Sequence, residues 1–315
     1  MSNAIGGVFP VLPTVFDEAG EIDLDGLGNV IEFALACGVD GLVFPGLASE
    51  YDMLSLKERE ALIGFVGARV AGRAKFVVGA SGDDVATSMR LATAGAGAGA
   101  VAAMVMTPRA IGPDTKLLGA FYSALGRQAE LPLMVQNAPV PMGLGLDTAQ
   151  LRAVVDATDS IRWVKEENMP CGQRISEMLA DPPAHLLGVF GGAGGRYITD
   201  ELARGAIGTM PAVETPEIHV ALMRAHRAGN EEAVRDLYEA VLPILMMQAV
   251  FRWRLTKEVL RRRGVIDSAY TRAAGPRFDS GDHAELSRIL SRLEPLLGGA
   301  AVTSPSAPSV QTATR

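Results

Sequence analysis

The 315-residue sequence is poor in cysteine, in aromatic side chains and in positive charge. Its two cysteines, Cys37 and Cys171, exclude a disulfide framework, and neither lies in a spacing typical of a zinc site. The formal net charge is −7 and no basic run marks a phosphate-binding surface, so we expect no nucleic-acid partner. The four histidines are scattered along the chain, a distribution that gives no indication of a metal site.

Long hydrophobic runs are also missing. No apolar run approaches the roughly 18 residues of a membrane-spanning helix, and no charged segment followed by an apolar one opens the chain. We therefore expect a cytoplasmic protein without a membrane partner. Hydrophobic residues make up 48% of the chain, enough for a substantial core. Residues 298–315 are rich in Ser, Thr, Ala, Pro and Gly, and we expect a disordered tail there.

Eight short apolar runs recur along the chain with helical segments between them. Most are almost continuously apolar, which is typical of parallel strands covered on both faces. Helix-start signals lie between them, including a capping box from Ser55 to Glu58 and an N-cap at Asp147. This α/β pattern predicts a (β/α)8 TIM barrel over residues 1–213 and a C-terminal helical extension over 214–297. The predicted strands are 7–15, 40–44, 75–80, 100–106, 131–136, 161–165, 185–190 and 206–210.

A doubly wound sheet that binds a dinucleotide is the alternative fold. Its only support is the glycine-rich segment 95–100, which matches a G-x-G-x-x-A pattern. That pattern indicates a nucleotide site when a strand precedes it and a helix follows it. Here the predicted order is the reverse, so we interpret the segment as a turn between a helix and a strand.

Lys165 ends the sixth predicted strand and is followed by Glu166 and Glu167. The active site of a TIM barrel lies at the C-terminal ends of its strands, so this lysine stands where catalytic groups are expected. Burial disfavours the ammonium form of a lysine, and a neutral amine is the species that forms a Schiff base with a carbonyl. A lysine that only extends its charged head into water from the strand end is the alternative.

The same rule selects further candidates at the other strand ends, and together they form the predicted site. They are Gly46, Leu47, Ala48, Ser49 and Glu50 after the second strand, Arg109 after the fourth, Gln136 and Asn137 after the fifth, Gly191 and Gly192 after the seventh, and Thr209 in the eighth.

Three of these features together resemble the dihydrodipicolinate synthase / N-acetylneuraminate lyase family. They are the Gly-x-x-x-Glu pattern that ends at Glu50, the Asn137-x-Pro139 segment, and the sixth-strand lysine followed by glutamate. The resemblance runs from Gly7 to about Leu297. It implies a TIM barrel with a C-terminal helical extension, usually a homotetramer, that needs no cofactor because Lys165 forms a Schiff base with the keto carbon of a 2-keto acid such as pyruvate.

The chain also departs from the family pattern. Gln136 stands where the family usually has a proton-shuttling tyrosine, and Leu47 and Ala48 stand in a loop that usually carries hydroxyl groups. The arginine that the synthase has after the Asn137 segment is absent, and Arg109 with Ala110 replaces a pair of tyrosines. These departures argue against synthesis of dihydrodipicolinate.

Segment 134–140 resembles one branch of the family, the 2-keto-3-deoxy-L-arabonate dehydratases and their relatives. We therefore expect a dehydratase of a 2-keto-3-deoxy sugar acid with Lys165 and Gln136 as catalytic residues. A pyruvate-dependent aldolase and a non-catalytic 2-keto acid binding protein are the alternatives. The backbone amides of residues 46–49 are expected to bind the substrate carboxylate, and Arg109 and Arg196 are candidate contacts for its far end.

Overall fold

Residues 5–298 are described by a computed structural model, and eight parallel strands form its single sheet. Neighbouring strands follow the order β1-β8-β7-β6-β5-β4-β3-β2, so each strand from β2 to β7 pairs with the next along the chain and β8 returns to β1. The predicted TIM barrel is confirmed. The strands are β1 (Gly7–Val8), β2 (Gly41–Phe44), β3 (Lys75–Gly79), β4 (Ala102–Met106), β5 (Leu133–Asn137), β6 (Ile161–Glu166), β7 (Gly188–Gly191) and β8 (Gly208–Thr209).

The first strand is much shorter than the predicted range 7–15. Pro10 and Pro13 lie in that range, and a proline has no N–H to donate to a sheet ladder. The chain instead joins its neighbours at single points, because Val11 bridges both Val43 and Ala212. These bridges bring β1 beside β2 and complete the circle of strands.

Helices α1–α8 alternate with the strands, and the predicted start signals lie where two of them begin. Ser55 and Glu58 exchange the two hydrogen bonds of a capping box, and Asp147 caps its helix by accepting from the Gln150 N–H. Gly95 lies in the last turns of α3, so the glycine-rich segment ends a helix and precedes β4. The helices are α1 (Leu24–Ala36), α2 (Leu56–Val70), α3 (Val85–Gly97), α4 (Thr115–Gln128), α5 (Thr148–Asp156), α6 (Cys171–Ala180), α7 (Ile198–Ala203) and α8 (Pro216–Arg227).

The helical segment after the barrel contains α9 (Glu231–Phe251), α10 (Trp253–Arg262) and α11 (Ser280–Leu293). These three helices share an apolar core of their own with Ile218 of α8. Helix α8, which the sequence analysis placed in the extension, contacts β1. Between α9 and α10 the helix is broken at Arg252, whose φ of 48° and ψ of −121° are not helical. The expected tail lies outside the described residues after position 298, and no described helix is long and apolar enough to cross a membrane.

The interior of the barrel is packed with large apolar side chains. Phe9, Met104, Met134 and Trp163 belong to this inner cluster and are almost completely buried. A second and larger cluster fills the layer between the strands and the surrounding helices. Because the barrel interior is filled, a functional cavity has space only at the strand ends.

Candidate active site

The sixth strand positions the central lysine by simple alternation. Successive side chains of a strand point to opposite faces, so Trp163, Lys165 and Glu167 share one direction. Trp163 belongs to the inner cluster of the barrel, whereas Val164 belongs to the outer one. Lys165 therefore lies one step above the packed interior, with Glu167 directly following it on the same side.

Lys165 and Glu167 form a buried ion pair at this end of the barrel. Lys165 Nζ lies 3.1 Å from Glu167 Oε1, and the two side chains are only 4% and 9% exposed. The same carboxylate accepts a 2.6 Å hydrogen bond from Gln136 Nε2 and a 3.1 Å hydrogen bond from the Ala193 backbone N–H. A side chain at position 192 would meet Glu167, because a Cβ there would lie 2.6 Å from its Cγ. Glycine at 192 leaves room for this carboxylate.

The charge on Glu167 is favoured by its partners. Burial acts to raise the pKa of Glu167, but the Lys165 ammonium and the Gln136 amide outweigh it, and the net shift is downward. Glu167 is therefore held as a carboxylate beside Lys165. A proton can pass between these two groups over a single hydrogen-bond distance, which gives Glu167 the position of a proton carrier.

The Glu166 side chain points to the opposite face of β6 from Lys165, and its carboxylate is used in hydrogen bonds within the protein. Its two carboxylate oxygens accept from Asn137 Nδ2 at 3.1 and 2.9 Å, and Oε1 also accepts from the Asn168 backbone N–H at 2.7 Å. Asn137 in turn exchanges hydrogen bonds with the backbone of Leu146. Burial raises the pKa of Glu166 to about 7. This network fixes the loop after β5, and neither Glu166 nor Asn137 lines the cavity beside Lys165.

The loop after β2 is held by its own polar groups. Ser49 Oγ accepts from the Gly46 N–H at 2.8 Å and donates to the Leu12 carbonyl, and the Ser49 N–H donates to the Gly46 carbonyl at 2.9 Å. The Ser49 hydroxyl is thus already used in hydrogen bonds within the protein. The backbone N–H groups of Leu47 and Ala48 begin the short 3-10 turn Leu47–Ser49 and have no partner within that turn.

Glu50 is buried and paired at the end of this loop. Its Oε1 accepts from Lys257 Nζ at 2.5 Å, and its Oε2 accepts from the Ala273 N–H at 2.7 Å. Both side chains of the pair are completely buried. Glu50 therefore ties the loop after β2 to the helical segment that follows the barrel, and it does not line the cavity beside Lys165.

A cavity of about 210 Å³ opens beside Lys165 and Glu167. Leu47 and Ala48 line one part of it, together with the backbone segment 210–212 after β8. The helical segment supplies much of the remaining wall. Its lining residues there are Gln248, Ala249, Arg252, Trp253 and Thr256, and Arg196 reaches the cavity from the loop after β7.

The remaining predicted residues lie around this cavity without lining it. Gly191 ends β7 above Glu201, whose carboxylate would collide with any Cβ at that position. Thr209 is completely buried at the end of β8, and its hydroxyl has no hydrogen-bond partner among the described residues. Arg109 is exposed and donates from Nη1 to the Pro141 carbonyl at 3.0 Å. The structure brings Leu47, Ala48 and Lys165 together at the cavity and leaves Arg109 outside it.

Sequence reasoning missed the contribution of the helical segment. Gln248, Arg252 and Trp253 lie in a range predicted only as helix, and helical periodicity does not indicate which residues face a distant barrel. Trp253 Nε1 donates to the Leu47 carbonyl, so the helix contacts the loop after β2 directly. Tyr51 directly follows Glu50 at the end of the loop after β2. It shares a small neighbouring cavity with Gln136, and burial raises its pKa.

Known proteins resemble this chain over most of its length. The sequence matches the Dihydrodipicolinate synthetase family over residues 4–293. L-2-keto-3-deoxyarabonate dehydratase from Azospirillum brasilense is 28% identical over 302 residues, which cover 92% of this chain and 95% of that protein. 4-hydroxy-tetrahydrodipicolinate synthase from Roseobacter denitrificans is 30% identical over 248 residues, which cover 76% of this chain and 81% of that protein.

Solved structures share the fold. Dihydrodipicolinate synthase from Rhodopseudomonas palustris superposes with a TM-score of 0.83 at 24% identity, covering 93% of this chain and 99% of that one. A putative dihydrodipicolinate synthetase from Pseudomonas aeruginosa gives a TM-score of 0.84 at 23% identity, covering 93% and 100%. At these identities the likeness establishes the barrel and its following helices.

Proposed function

The chain belongs to the dihydrodipicolinate synthetase family, whose members are lyases, and from this premise we propose that it is a Schiff-base-forming dehydratase of a 2-keto-3-deoxy sugar acid. The observation that carries the proposal is the buried pair at the cavity, with Lys165 Nζ 3.1 Å from Glu167 Oε1. A lysine and a proton carrier on the same cavity wall are the two groups that such a reaction requires.

The first step is formation of the covalent intermediate. Lys165 transfers a proton to Glu167, and the neutral amine adds to the C2 carbonyl of the substrate. The carbinolamine takes a proton back and loses its oxygen as water, which leaves an iminium at C2. The substrate carboxylate at C1 is bound by the backbone N–H groups of Leu47 and Ala48.

The second step is elimination of the C4 hydroxyl. The iminium withdraws electrons from C3, so Glu167 can remove a C3 proton to give an enamine. The enamine electrons form the C3–C4 double bond as the C4–O bond breaks, and Glu167 returns the proton so that the oxygen leaves as water. One water then hydrolyses the unsaturated iminium, which frees the keto product and restores Lys165. The net change is loss of one water.

Gln136 favours this outcome over carbon–carbon cleavage. Retro-aldol cleavage from the same iminium needs a base on the C4 hydroxyl, and an amide side chain does not accept a proton. Gln136 instead donates to Glu167 at 2.6 Å and holds that carboxylate beside Lys165. The 28% identity to L-2-keto-3-deoxyarabonate dehydratase over 92% of the chain also supports dehydration.

Borohydride reduction in the presence of pyruvate, read by intact mass, tests the covalent step. We expect one adduct on the native chain and none on Lys165→Ala. The reaction type is then read from the products of a panel of 2-keto-3-deoxy pentonates and hexonates. A dehydratase retains the carbon skeleton, whereas release of pyruvate with an aldehyde would identify an aldolase and overturn the dehydratase proposal. An absence of any adduct would overturn the Schiff base and favour a binding protein.

Assembly and location are further parts of the proposal. We propose a homotetramer in the cytoplasm that uses no cofactor other than the covalent bond through Lys165. Sedimentation velocity would measure the assembly, and a monomer at micromolar concentration would contradict it.

A further inference from the structure

Two arginine side chains line the proposed catalytic cavity without a carboxylate partner among residues 5–298. Arg196 comes from the loop after β7, and Arg252 comes from the break between α9 and α10. Both are half-buried. A half-buried guanidinium without an ion pair is costly, since it has given up part of its hydration without a compensating charge.

The charges nearby do not neutralise these two groups. Glu167 is already paired with Lys165 at 3.1 Å, and together they contribute no net charge. Asp52 acts on Arg252 electrostatically but is exposed and forms no ion pair with it. Arg196 acts on the buried Glu214 carboxyl, but burial raises the pKa of Glu214 to about 7, so that carboxyl is only partly ionised at neutral pH. The cavity therefore carries excess positive charge inside an acidic protein.

Both guanidinium groups are held in place with most of their donors unused. Arg252 stacks 4.2 Å from the centre of the Trp253 ring, and its Nη2 has only the Met142 thioether, a weak acceptor, at 3.0 Å. Arg196 Nη1 donates to Gln248 Oε1 at 3.2 Å. A guanidinium has five N–H donors in a planar fork that fits a carboxylate or a phosphate.

We propose that Arg196 and Arg252 bind a second anionic group at the far end of the substrate, so that the preferred substrate is a dianionic 2-keto-3-deoxy acid. This inference rests on the proposed function, because it assigns the first carboxylate and the C2 carbonyl to the Leu47 loop and Lys165. The second group is a terminal carboxylate, as in a 2-keto-3-deoxy hexarate, or a terminal phosphate. The arginines act in binding and take no part in the elimination.

Two matched ligands test binding of the second anionic group separately from formation of the Schiff base. 2-Oxoadipate and 2-oxohexanoate are six-carbon 2-keto acids that differ in a second carboxylate at C6, and each can be trapped on Lys165 by borohydride without turnover. We expect half-maximal trapping at a concentration roughly 10- to 100-fold lower for 2-oxoadipate, the range for charged hydrogen bonds of about 1.5–3 kcal/mol. Arg196→Gln and Arg252→Gln should each remove most of that preference, read as the ratio of the two half-maximal concentrations for 2-oxoadipate and 2-oxohexanoate.

Two control variants test whether the preference depends on the guanidinium groups that line the cavity. Arg254 lies two residues after Arg252, in α10, and its only hydrogen bond among residues 5–298 is to the Pro276 carbonyl. Arg254→Gln should therefore retain the preference. Arg252→Lys keeps the charge and should recover part of the preference for 2-oxoadipate.

Turnover of 2-keto-3-deoxy hexarate, compared with turnover of the 6-phosphate of 2-keto-3-deoxygluconate, decides whether the second group is a carboxylate or a phosphate. Equal trapping of 2-oxoadipate and 2-oxohexanoate, or no trapping of 2-oxoadipate while pyruvate is trapped, would overturn the inference. Failure of pyruvate itself would overturn the proposed function.

Discussion

Two lysine–glutamate pairs are buried in this protein, and they differ in what surrounds them. Lys165 and Glu167 line a cavity of about 210 Å³ at the strand ends. Lys257 and Glu50 are completely enclosed, with the Lys257 ammonium 2.8 Å from the Tyr270 carbonyl and 4.3 Å from the centre of the Phe16 ring.

The comparison shows that burial alone does not make a lysine a nucleophile. Burial lowers the pKa of Lys257 to about 8, although Glu50 acts to raise it, so its amine is more easily freed than that of an ordinary lysine. No carbonyl compound can reach it, however, and its role is to join the loop after β2 to α10. Lys165 differs because it and its partner Glu167 both line a cavity, where a substrate can meet the amine and the carboxylate together.

Replacing the two lysines should separate their roles most clearly. We expect Lys165→Ala to abolish the pyruvate adduct and to lower turnover by more than about 10³-fold, since the covalent route is lost. The protein should remain folded, because the site lies at the rim and Glu167 keeps its bonds from Gln136 and Ala193. Intact mass after borohydride treatment and steady-state kinetics measure both effects. An adduct that persists on Lys165→Ala would move the nucleophile elsewhere.

Removing the carboxylate beside Lys165 should have the next largest effect. We expect Glu167→Gln to lower turnover by roughly 10²- to 10³-fold, because it removes the group that carries protons to and from C3 and the C4 oxygen. Pyruvate should still be trapped, but more slowly, since the lysine remains and the group that takes its proton is lost. Tyr51→Phe is the matched control for a tyrosine near Gln136. A larger loss in Tyr51→Phe than in Glu167→Gln would assign the proton transfer to the tyrosine.

Breaking the enclosed pair should instead lower stability. We expect Lys257→Met to reduce the free energy of unfolding by about 3–5 kcal/mol, because Glu50 is left buried without its counter-charge. The double variant Glu50→Gln/Lys257→Met should recover most of that loss. Urea unfolding measures the change, and the folded fraction of Lys257→Met should still form the pyruvate adduct. A loss below about 1 kcal/mol would indicate that the pair behaves like an exposed one.

The enclosed lysine also predicts a pH dependence with a definite sign. The pKa of Lys257 is lowered to about 8 in the folded protein from its ordinary value of 10.5, so between these pH values the unfolded chain binds more protons at this site than the folded one. The contribution of Lys257 to the free energy of unfolding therefore rises as the pH rises through that window. The rise is about 1–2 kcal/mol at pH 9.5. Urea midpoints at pH 7.5 and 9.5 should show this rise in the native protein relative to Lys257→Met. Parallel changes in both proteins would contradict it.

Much of the fold could be predicted from local sequence, because each signal depends on neighbouring residues. Apolar runs indicated the strands, and the Ser55 and Asp147 caps lie where expected. Strand order then placed Lys165 at the correct rim. The predicted sixth strand ended at Lys165, one residue before the observed end at Glu166, and it did not indicate which of the two following glutamates lies on the same side as the lysine.

The outer wall of the cavity could not be predicted in this way. Arg252 and Trp253 come from a segment far along the chain, and Trp253 contacts Leu47 across 206 positions. The break between α9 and α10 has no proline or glycine at Arg252 to mark it, since a positive φ at arginine is set by tertiary contacts. Position after a strand end is also not sufficient to place a residue at the cavity. Arg109 follows β4, but its side chain turns outward and donates to the Pro141 carbonyl.

The bond between Glu50 and Lys257 also has a consequence for the order of events on the ribosome. The two residues are separated by 207 positions, and Ala273, the other partner of Glu50, lies 223 positions away. All eight strands have emerged before the cation that balances Glu50 is even translated. The loop after β2, which we propose binds the substrate carboxylate, is therefore completed late in synthesis, and a nascent chain has an almost finished barrel before this loop has all of its contacts.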